Sequence, residues 1–310
     1  MRIMFMGTPE IAATCLSALI SEGLDICAVV TREDKPRGRG NVMTPTPVKS
    51  LALEHGIPVY TPSTLRDGAF LSLLHEIDPE LIVVVAYGKI LPKEVIDYPR
   101  CGCINAHVSL LPKYRGAAPM QRAIMEGESE TGVTIMYMDE GLDTGDIITS
   151  ESFPIGPTDD FEAIHDRSAE VGARLLVRSI DDIGAGRAAR TPQDGSLATY
   201  AKKVEREDAK IDFSLSAAEL DCRIRGVTPI PGAFTYHNGR MLKISGATVI
   251  EGKGRPGEVI GVSGVGVGYI TVACGEGALR ISTVIPEGKG RMSAGDFVRG
   301  RKIAIGDILG

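Results

Sequence analysis

The sequence lacks any apolar run long enough to cross a membrane or to form the core of a secretory signal. Near its N-terminus only four apolar residues, 3–6, follow Arg2, and we interpret them as a buried first strand. None of the six cysteines belongs to a C-x-x-C pair, so a disulfide framework is not indicated. We therefore expect a cytoplasmic protein with reduced cysteines, in which Cys101 and Cys103 belong to a buried strand.

The motifs of several enzyme classes are missing as well. The sequence has no H-E-x-x-H and no His/Cys cluster, so it predicts no metal site, and it has no G-x-S-x-G to mark a serine nucleophile. The first turn reads GTPE where a dinucleotide-binding protein would have G-x-G-x-x-G, although Asp34 follows at a suitable distance. Direct transfer between two bound substrates is the simplest reaction scheme that remains.

The acidic excess of the whole chain, a formal net charge of −6, gives no general signature of nucleic-acid binding. The charge is unevenly distributed, however. Residues 201–310 carry 16 Lys and Arg against 12 Asp and Glu, a net charge of +4, so the preceding part of the chain carries −10. The C-terminal third is therefore the basic part of the protein.

Apolar runs alternate with amphipathic segments through the first part of the chain. Residues 3–6, a helical pattern from Ile11 to Ile20 and the run DICAVVT form a β-α-β opening. The segment LIVVVAY, residues 81–87, is apolar throughout, which is typical of a strand covered on both faces. We predict a Rossmann-like α/β fold, an open and mostly parallel sheet with helices on both sides.

The character of the sequence changes near residue 190. Residues 190–206 are polar and turn-rich and have no periodicity, which favours a linker. Beyond them, one short helical segment precedes short Val/Ile-rich segments separated by Gly-rich turns, at the spacing of a small β-barrel. We therefore predict a catalytic domain over 1–189, a linker over 190–206 and a smaller β-barrel domain over 207–310.

A candidate site follows the run GCINAHVSL. An open parallel sheet binds ligands beyond the carboxyl ends of its strands, and alternation puts Asn105 and His107 on one face there. An Asn amide and a protonated His could hold the oxyanion that forms when a carbonyl is attacked. Asp143 in GLDTGD, between Gly141 and Gly145, is the best carboxylate to orient the imidazole. An ordinary acidic turn explains that loop equally well from its sequence alone.

A basic segment, TREDKPRGRGNVMTPTPVK, follows the second predicted strand as a long loop. Its cations Lys35, Arg37 and Arg39 are separated by Pro and Gly. A charged surface loop and a phosphate-binding loop explain this composition equally well. Beside the ligand edge of the sheet, such a loop would suit a polyanion.

With these motifs in view, the sequence resembles the methionyl-tRNA formyltransferases, within the folate-dependent formyltransferase family, over essentially its whole length. The matching segments are GTPE, RGRG followed by PVK, AYGKILP, NAHVSLLPKYRGAAP, MDEGLDTGD and GVTPIPGAFT. The central motif and the Asp loop are specific to folate-dependent formyltransferases. The RGRG loop and the basic C-terminal part narrow the choice within them.

The resemblance implies transfer of the formyl group of 10-formyltetrahydrofolate to the α-amino group of methionine on initiator tRNA, for translation initiation, without a metal. It makes Asn105, His107 and Asp143 the catalytic residues. The α-amine attacks the formyl carbon, Asn105 and His107 hold the oxyanion, and Asp143 supports the charge of the imidazole and assists proton removal. A monomeric enzyme with an OB-like β-barrel as its second, tRNA-contacting domain is expected.

The resemblance also implies binding residues. Those for the folate are Tyr87, Gly88, Lys89, Ile90 and Leu91, then Ser109, Leu110, Leu111 and Pro112, then Gly141, Leu142 and Thr144. Those for the tRNA are Lys35, Arg37 and Arg39. The family commonly has Trp where Ile230 stands, a departure that concerns only local packing or a tRNA contact.

Two other functions compete with this one. A formyltransferase acting on an amino sugar carried by a nucleotide would share the three catalytic residues, but the RGRG loop and the basic C-terminal part favour tRNA. A non-catalytic RNA-binding module on an OB-like barrel would need aromatic residues for base stacking. Phe234, Tyr236 and Tyr269 are few and spread along the C-terminal part, and the three catalytic candidates would then have no purpose.

Overall fold

The computed structural model describes residues 1–37, 40–300 and 302–310. These residues form two compact units. The first comprises Met1–Pro119, Thr131–Phe153 and His165–Ala201, and the second comprises Met120–Glu130, Pro154–Ile164 and Lys202–Gly310. The domain limits expected from the sequence, 1–189 and 207–310, stay a prediction.

Up to residue 201, helices are interspersed among the strands. The strands are β1 (Ile3–Gly7), β2 (Ile26–Val30), β3 (Lys35–Arg37), β4 (Val42–Thr44), β5 (Val59–Tyr60), β6 (Leu81–Val85), β7 (Cys103–His107), β8 (Arg115–Gly116), β9 (Glu130–Tyr137), β10 (Ile147–Pro154) and β11 (Tyr200–Ala201). The helices are α1 (Glu10–Ser21), α2 (Pro47–Glu54), α3 (Gly68–Ile77), α4 (Lys93–Ile96), α5 (Pro119–Met125) and α6 (Phe161–Gly184), with a 3-10 turn at Gly195–Leu197.

The main sheet of the first unit has the strand order β10-β9-β7-β6-β1-β2-β5. The strands β5, β2, β1, β6 and β7 run parallel, and β9 is antiparallel to β7. Met4 and Met6 of β1 pack with Ile82 and Cys103 in a core cluster on one face, and the intervening Phe5 is also fully buried. Because both faces are covered, the strands are apolar throughout, and the predicted Rossmann-like class is confirmed.

Two small sheets complete the first unit. Strands β3 and β4 form an antiparallel hairpin in which Lys35 pairs with Thr44, so the basic segment predicted as a loop contains a hairpin. Strands β8 and β11 pair in parallel, with Arg115 opposite Tyr200 and Gly116 opposite Ala201. Residues from the segment predicted as a linker are thus hydrogen-bonded to the end of the central motif.

Local chemistry explains where the helices begin. The Thr46 hydroxyl accepts a hydrogen bond from the Lys49 N–H, and Pro47 occupies the first position of α2. The Asp67 carboxylate accepts from the Phe70 N–H at the start of α3. Among the described residues, no helix is both long and apolar enough to cross a membrane.

The second unit is built on an antiparallel sheet. Its strands are β12 (Phe234–His237), β13 (Arg240–Ile250), β14 (Val259–Ser263), β15 (Tyr269–Ala273), β16 (Ala278–Pro286) and β17 (Met292–Ser293), in the order β12-β13-β16-β15-β14 with β17 on β16. Helices α7 (Ala217–Val227) and α8 (Ala294–Arg299) accompany it, with a 3-10 turn at Glu207–Ala209. Ser216 and Glu219 form a capping box at the start of α7, which buries Leu220 and Ile224. The predicted fold class, with a second and smaller β domain, is confirmed.

Candidate active site

Strand β7 carries two of the candidate catalytic residues at its carboxyl end. Asn105 lies opposite Val84 of β6 and Met136 of β9, and His107 is the last residue of β7. Both share a face of β7 with Cys103, which lies in the apolar core cluster, so this face of the strand begins in the core and ends at a polar edge. In the described part of the chain the amide of Asn105, which is half-buried, has no hydrogen-bond partner. It therefore remains available to a ligand.

The imidazole of His107 is held in one orientation. The ring is buried, and its Nε2 lies 2.9 Å from the carbonyl oxygen of Tyr114. A carbonyl can only accept, so Nε2 carries a proton and donates it to Tyr114. The other nitrogen, Nδ1, lies 3.6 Å from Oδ2 of Asp143, slightly beyond a direct hydrogen bond. Nδ1 is therefore the only ring nitrogen that can meet a reacting group, whereas the sequence suggested two donors.

The loop of residues 139–145 is shaped by its own small residues. A Cβ on Gly141 would collide with the side chain of Thr144, and one on Gly145 would collide with a backbone oxygen of β9. The carboxylate of Asp139 accepts from the Gly141 N–H at 3.0 Å and from the Thr144 hydroxyl at 2.6 Å. Asp143 itself has a φ of 54°, in the left-handed region. The loop is therefore a tightly closed turn that presents Asp143.

Strand β8 and the residue before it contact His107 and Asp143. The carbonyl of Tyr114, just before β8, accepts from His107, and the N–H of Gly116 donates to Asp143 Oδ2 at 2.7 Å. The three consecutive residues 114–116 thus set the separation between the imidazole of His107 and the carboxylate of Asp143. Because β8 is paired with β11, this separation depends on residues that lie 85 positions further along the chain.

Gln193 connects the loop of Asp143 to Arg115 of β8, and reasoning from the sequence missed it. Its Nε2 donates to the carbonyl oxygens of Asp143, at 2.9 Å, and Gly145, at 2.8 Å. Its Oε1 accepts from Nε and Nη2 of the buried Arg115 at 3.2 and 2.7 Å. Nothing in the polar stretch around Gln193 distinguishes it. Arg115, by contrast, belongs to the motif NAHVSLLPKYRGAAP, but the sequence predicted no role for it.

The segment 109–112, predicted to bind folate, is tied down by internal hydrogen bonds. The fully buried Ser109 donates to the Lys113 carbonyl at 2.7 Å. The hydroxyl of Thr134 donates to the Ser109 carbonyl and accepts from the Leu111 N–H, at 2.7 and 3.2 Å. Leu111 is buried as well. The half-buried members of the segment are Leu110 and Pro112.

The segment 87–91 divides into inward and outward side chains. Tyr87 and Leu91 are buried in the core cluster, and burial raises the pKa of Tyr87 to about 12. Lys89 donates to the carbonyl oxygens of residues 62 and 63 at 2.7 and 2.8 Å. Gly88, with a φ of 79°, makes the turn. The side chain of Ile90 is 82% exposed.

Of the third predicted folate segment, Leu142 is 59% exposed. Ile90 and Leu142 are therefore the apolar side chains that the predicted folate segments leave open to a ligand. Thr144, in contrast, is engaged with Asp139 inside its own loop. No group of three or more His, Cys, Asp or Glu that could hold a metal ion occurs among the described residues.

Two of the residues predicted to bind tRNA, Lys35 and Arg37, lie in strand β3. Lys35 is exposed at the start of β3, and the backbone of Arg37 ends that strand. Arg39 lies outside the described residues.

Comparison with known proteins matches both parts of the chain. A family model described as formyl transferase matches residues 1–180, and one described as formyl transferase, C-terminal domain, matches residues 203–302. The methionyl-tRNA formyltransferase of Syntrophus aciditrophicus is 47% identical, covering 99% of this chain and 98% of the relative. That of Moorella thermoacetica is 48% identical, covering 100% of this chain and 99% of the relative.

Solved structures share the fold at lower identity. HypX from Aquifex aeolicus, in complex with tetrahydrofolic acid, is 18% identical with a TM-score of 0.67, covering 96% of this chain and 47% of that one. WlaRD, a sugar 3N-formyl transferase in the presence of dTDP and 5-N-formyl-THF, is 20% identical with a TM-score of 0.67, covering 94% of this chain and 99% of that one.

Proposed function

This chain belongs to the formyl transferase family, and on that premise we propose that it formylates methionyl-tRNA. The donor is 10-formyltetrahydrofolate and the product is N-formylmethionyl-tRNA, used in translation initiation. The observation that carries the proposal is the close approach of His107 and Asp143 beside Asn105, in a chain whose full-length relatives bear that name.

The geometry supports a separate role in the reaction for each of the three residues. The α-amine of the methionyl group attacks the formyl carbon, and the formyl oxygen gains the negative charge. The side-chain amide of Asn105 and Nδ1–H of a protonated His107 hold that oxygen. Asp143 balances the imidazolium charge and accepts the proton that the amine loses. When the formyl oxygen re-forms its double bond, N10 of the folate leaves with the electron pair of the broken C–N bond and takes up that proton, which restores the Asp143 carboxylate. Acid–base assistance of this kind is worth about 10²–10⁴-fold.

The folate pocket is proposed from the exposed apolar side chains of two loops. Ile90 and Leu142 offer apolar contact, and the nearby turns offer backbone N–H and C=O groups. Because Ser109 and Leu111 are buried, the segment 109–112 contributes to this pocket through its backbone and through the half-buried side chains of Leu110 and Pro112.

The tRNA contact is proposed from charge. Residues 201–310 carry a net charge of +4, and the basic segment with Lys35, Arg37 and Arg39 adds three cations. Cations that neutralise phosphates release counterions, which is the main source of nucleic-acid affinity. We propose that the protein acts as a monomer.

An amino sugar carried by a nucleotide is the second candidate acceptor. The observation in its favour is the fold shared with the sugar formyl transferase WlaRD, at a TM-score of 0.67. The basic C-terminal part and the 47–48% identity to methionyl-tRNA formyltransferases favour the tRNA.

The deciding experiment supplies the purified protein with 10-formyltetrahydrofolate labelled in its formyl carbon. Initiator methionyl-tRNA, the same tRNA without methionine and a dTDP-linked amino sugar are offered in parallel. We expect label only on the methionyl-tRNA. Label on the amino sugar with none on methionyl-tRNA would replace the proposed function by the second candidate.

A further inference from the structure

We propose that Gln193 and Arg115 are positioning residues, which act on the reaction through Asp143. The proposal assigns an active-site task to one side chain of residues 191–201, that of Gln193, outside the elements that carry the catalytic candidates. Its activity readout rests on the proposed function, and its structural readout does not.

The orientation of the Gln193 amide is determined by its neighbours. A guanidinium only donates, so the Gln193 oxygen must face Arg115, and both N–H groups must face the carbonyl oxygens of Asp143 and Gly145. A flipped amide would set donor against donor and acceptor against acceptor. The single side chain thus holds the carbonyl groups of Asp143 and Gly145, the residues on either side of residue 144.

Arg115 is an unusual partner for this purpose. Its side chain is buried, and among the described residues it forms no ion pair with a carboxylate. Burial of a cation without a countercharge is costly, and an amide oxygen compensates only part of that cost. What the guanidinium supplies is a pair of donors in a rigid fork, at 3.2 and 2.7 Å from Gln193 Oε1.

The chain around Gln193 is arranged so that this side chain alone turns inward. Residues 191, 192 and 194–197 are exposed, whereas Gln193 is half-buried. Backbone hydrogen bonds anchor the segment on both sides. Thr191 exchanges two with Ile147, at 2.8 and 3.0 Å, and β11 pairs with β8. The segment is therefore fixed to β10, which follows the loop of Asp143, and to β8, which contains Arg115.

The consequence concerns the direction of the Asp143 carboxylate. A φ of 54° is uncommon for a residue with a side chain and persists where its surroundings hold it. Gln193 holds the carbonyl of Asp143 while Gly116 holds its carboxylate. Without Gln193 the peptide can rotate, and the carboxylate leaves its place 3.6 Å from His107 Nδ1.

The test uses Gln193→Glu, which keeps the shape of the side chain. A carboxylate can still accept from Arg115, so a residue that only anchors Arg115 would be replaced without loss. It cannot donate to the two carbonyl oxygens, so the loop of Asp143 should be released. We expect kcat to fall by roughly 10²-fold, the effect of a displacement of about 1 Å. KM for methionyl-tRNA and the melting temperature should stay near wild type.

Asp194→Asn is the matched control. Among the described residues, the carboxylate of Asp194, next to Gln193, accepts hydrogen bonds only from the N–H and hydroxyl of Ser196, so the kcat of this variant should equal that of the wild type. A second variant pair asks whether Gln193 acts through Asp143. In an Asp143→Asn background, Gln193→Glu should cause little further loss, because residues that act as a unit are not additive. Losses that multiply would overturn the proposal, as would a Gln193→Glu enzyme with wild-type kcat.

Amide hydrogen exchange gives a readout without activity. In Gln193→Glu the Gly116 N–H and the amides of residues 141–145 should exchange at least about tenfold faster than in the wild type, since each depends on the closed loop. If these amides exchange at the wild-type rate, Gln193 does not position the loop, even when the variant enzyme is active. A wild-type protein that formylates no methionyl-tRNA would instead refute the proposed function, and the exchange result would still decide the role of Gln193.

Discussion

At the scale of single residues, His107 combines a structural contact with a chemical one. Its Nε2 donates to Tyr114 and its Nδ1 faces Asp143. Replacement by Ala removes the hydrogen bond from His107 to the buried Tyr114 carbonyl, which costs about 1–3 kcal/mol, whereas Gln can still donate to it. We expect both variants to lose about 10²–10⁴-fold in kcat and only His107→Ala to lose appreciable stability. Single-turnover formylation and thermal unfolding measure the two effects; wild-type turnover in either variant would remove His107 from the mechanism.

Ile90 and Leu142 allow the folate pocket to be tested without disturbing the core, because both side chains are exposed. A change of either to Asp should leave the melting temperature unchanged. It should weaken folate binding by roughly 10-fold or more, as expected when the burial of a large apolar side chain is lost. Equilibrium titration with folate measures the effect. The buried Leu111 is a poor site for this test, and a loss of tRNA affinity with folate affinity unchanged would show that the pocket lies elsewhere.

At the scale of elements, the short pair β8–β11 determines the geometry of the site. Gly116 has a φ of 117°, and a Cβ there would lie 2.9 Å from the Ala201 carbonyl oxygen. Gly116→Ala should therefore separate β8 from β11, move the N–H that holds Asp143 and lower kcat by orders of magnitude. Gly186→Ala is the control, since Gly186 has a φ of 69° with open space around it and should lose some stability but no activity. Equal activities of the two variants would contradict this dependence.

In the second unit, helix α5 is tied to the 3-10 turn at 207–209 by an ion pair. Nη2 of Arg122 lies 2.8 Å from Oδ2 of Asp208. This hydrogen bond holds the pKa of Asp208 below its ordinary value of 3.8, since it outweighs the opposing effect of burial. The folded state then binds fewer protons than the unfolded state between the two pKa values. The stabilisation is complete above pH 3.8 and is lost as the pH falls through the lowered pKa.

Asp208→Asn should therefore lower stability at neutral pH and flatten its decline in acid. Denaturant unfolding of both proteins between neutral pH and about pH 2 measures the difference. The same dependence on pH in the variant and the wild type would show that other carboxylates govern acid unfolding.

At the scale of the whole molecule, the uneven charge predicts how binding responds to salt. Each tRNA phosphate neutralised should contribute about 0.7–0.9 to the log–log slope of affinity against salt, whereas a nucleotide sugar offers only two phosphates. Reversal of Arg37 and Arg39 to Glu should abolish transfer to methionyl-tRNA and reduce the salt slope, while folate binding stays near wild type. The control reverses Arg174 and Arg187, exposed cations that pair with carboxylates near them in the first unit. Formylation that survives the first reversal at physiological salt would exclude this loop as the tRNA contact.

The sequence by itself determined the sheet and the position of its polar edge. The continuous apolar run 81–87 forms a strand over 81–85 because both faces of a parallel sheet are covered, and alternation alone puts Asn105 and His107 on one face. The glycines at 141 and 145 indicated a tight turn around Asp143, and collisions of any Cβ there explain why. These features depend on the backbone sterics and burial of a few neighbouring residues, which a sequence displays directly.

Only the tertiary structure decided which groups hold those residues in place. Gln193 reaches Asp143 across 50 residues and Arg115 across 78, and its polar surroundings in the sequence suggested a linker. Ser109 stands in a motif typical of folate binding, yet its hydroxyl is buried against the Lys113 carbonyl. The imidazole of His107 keeps one nitrogen for chemistry because the other meets Tyr114. Hydrogen bonds between distant segments depend on the assembled fold, and no local pattern of residues encodes them.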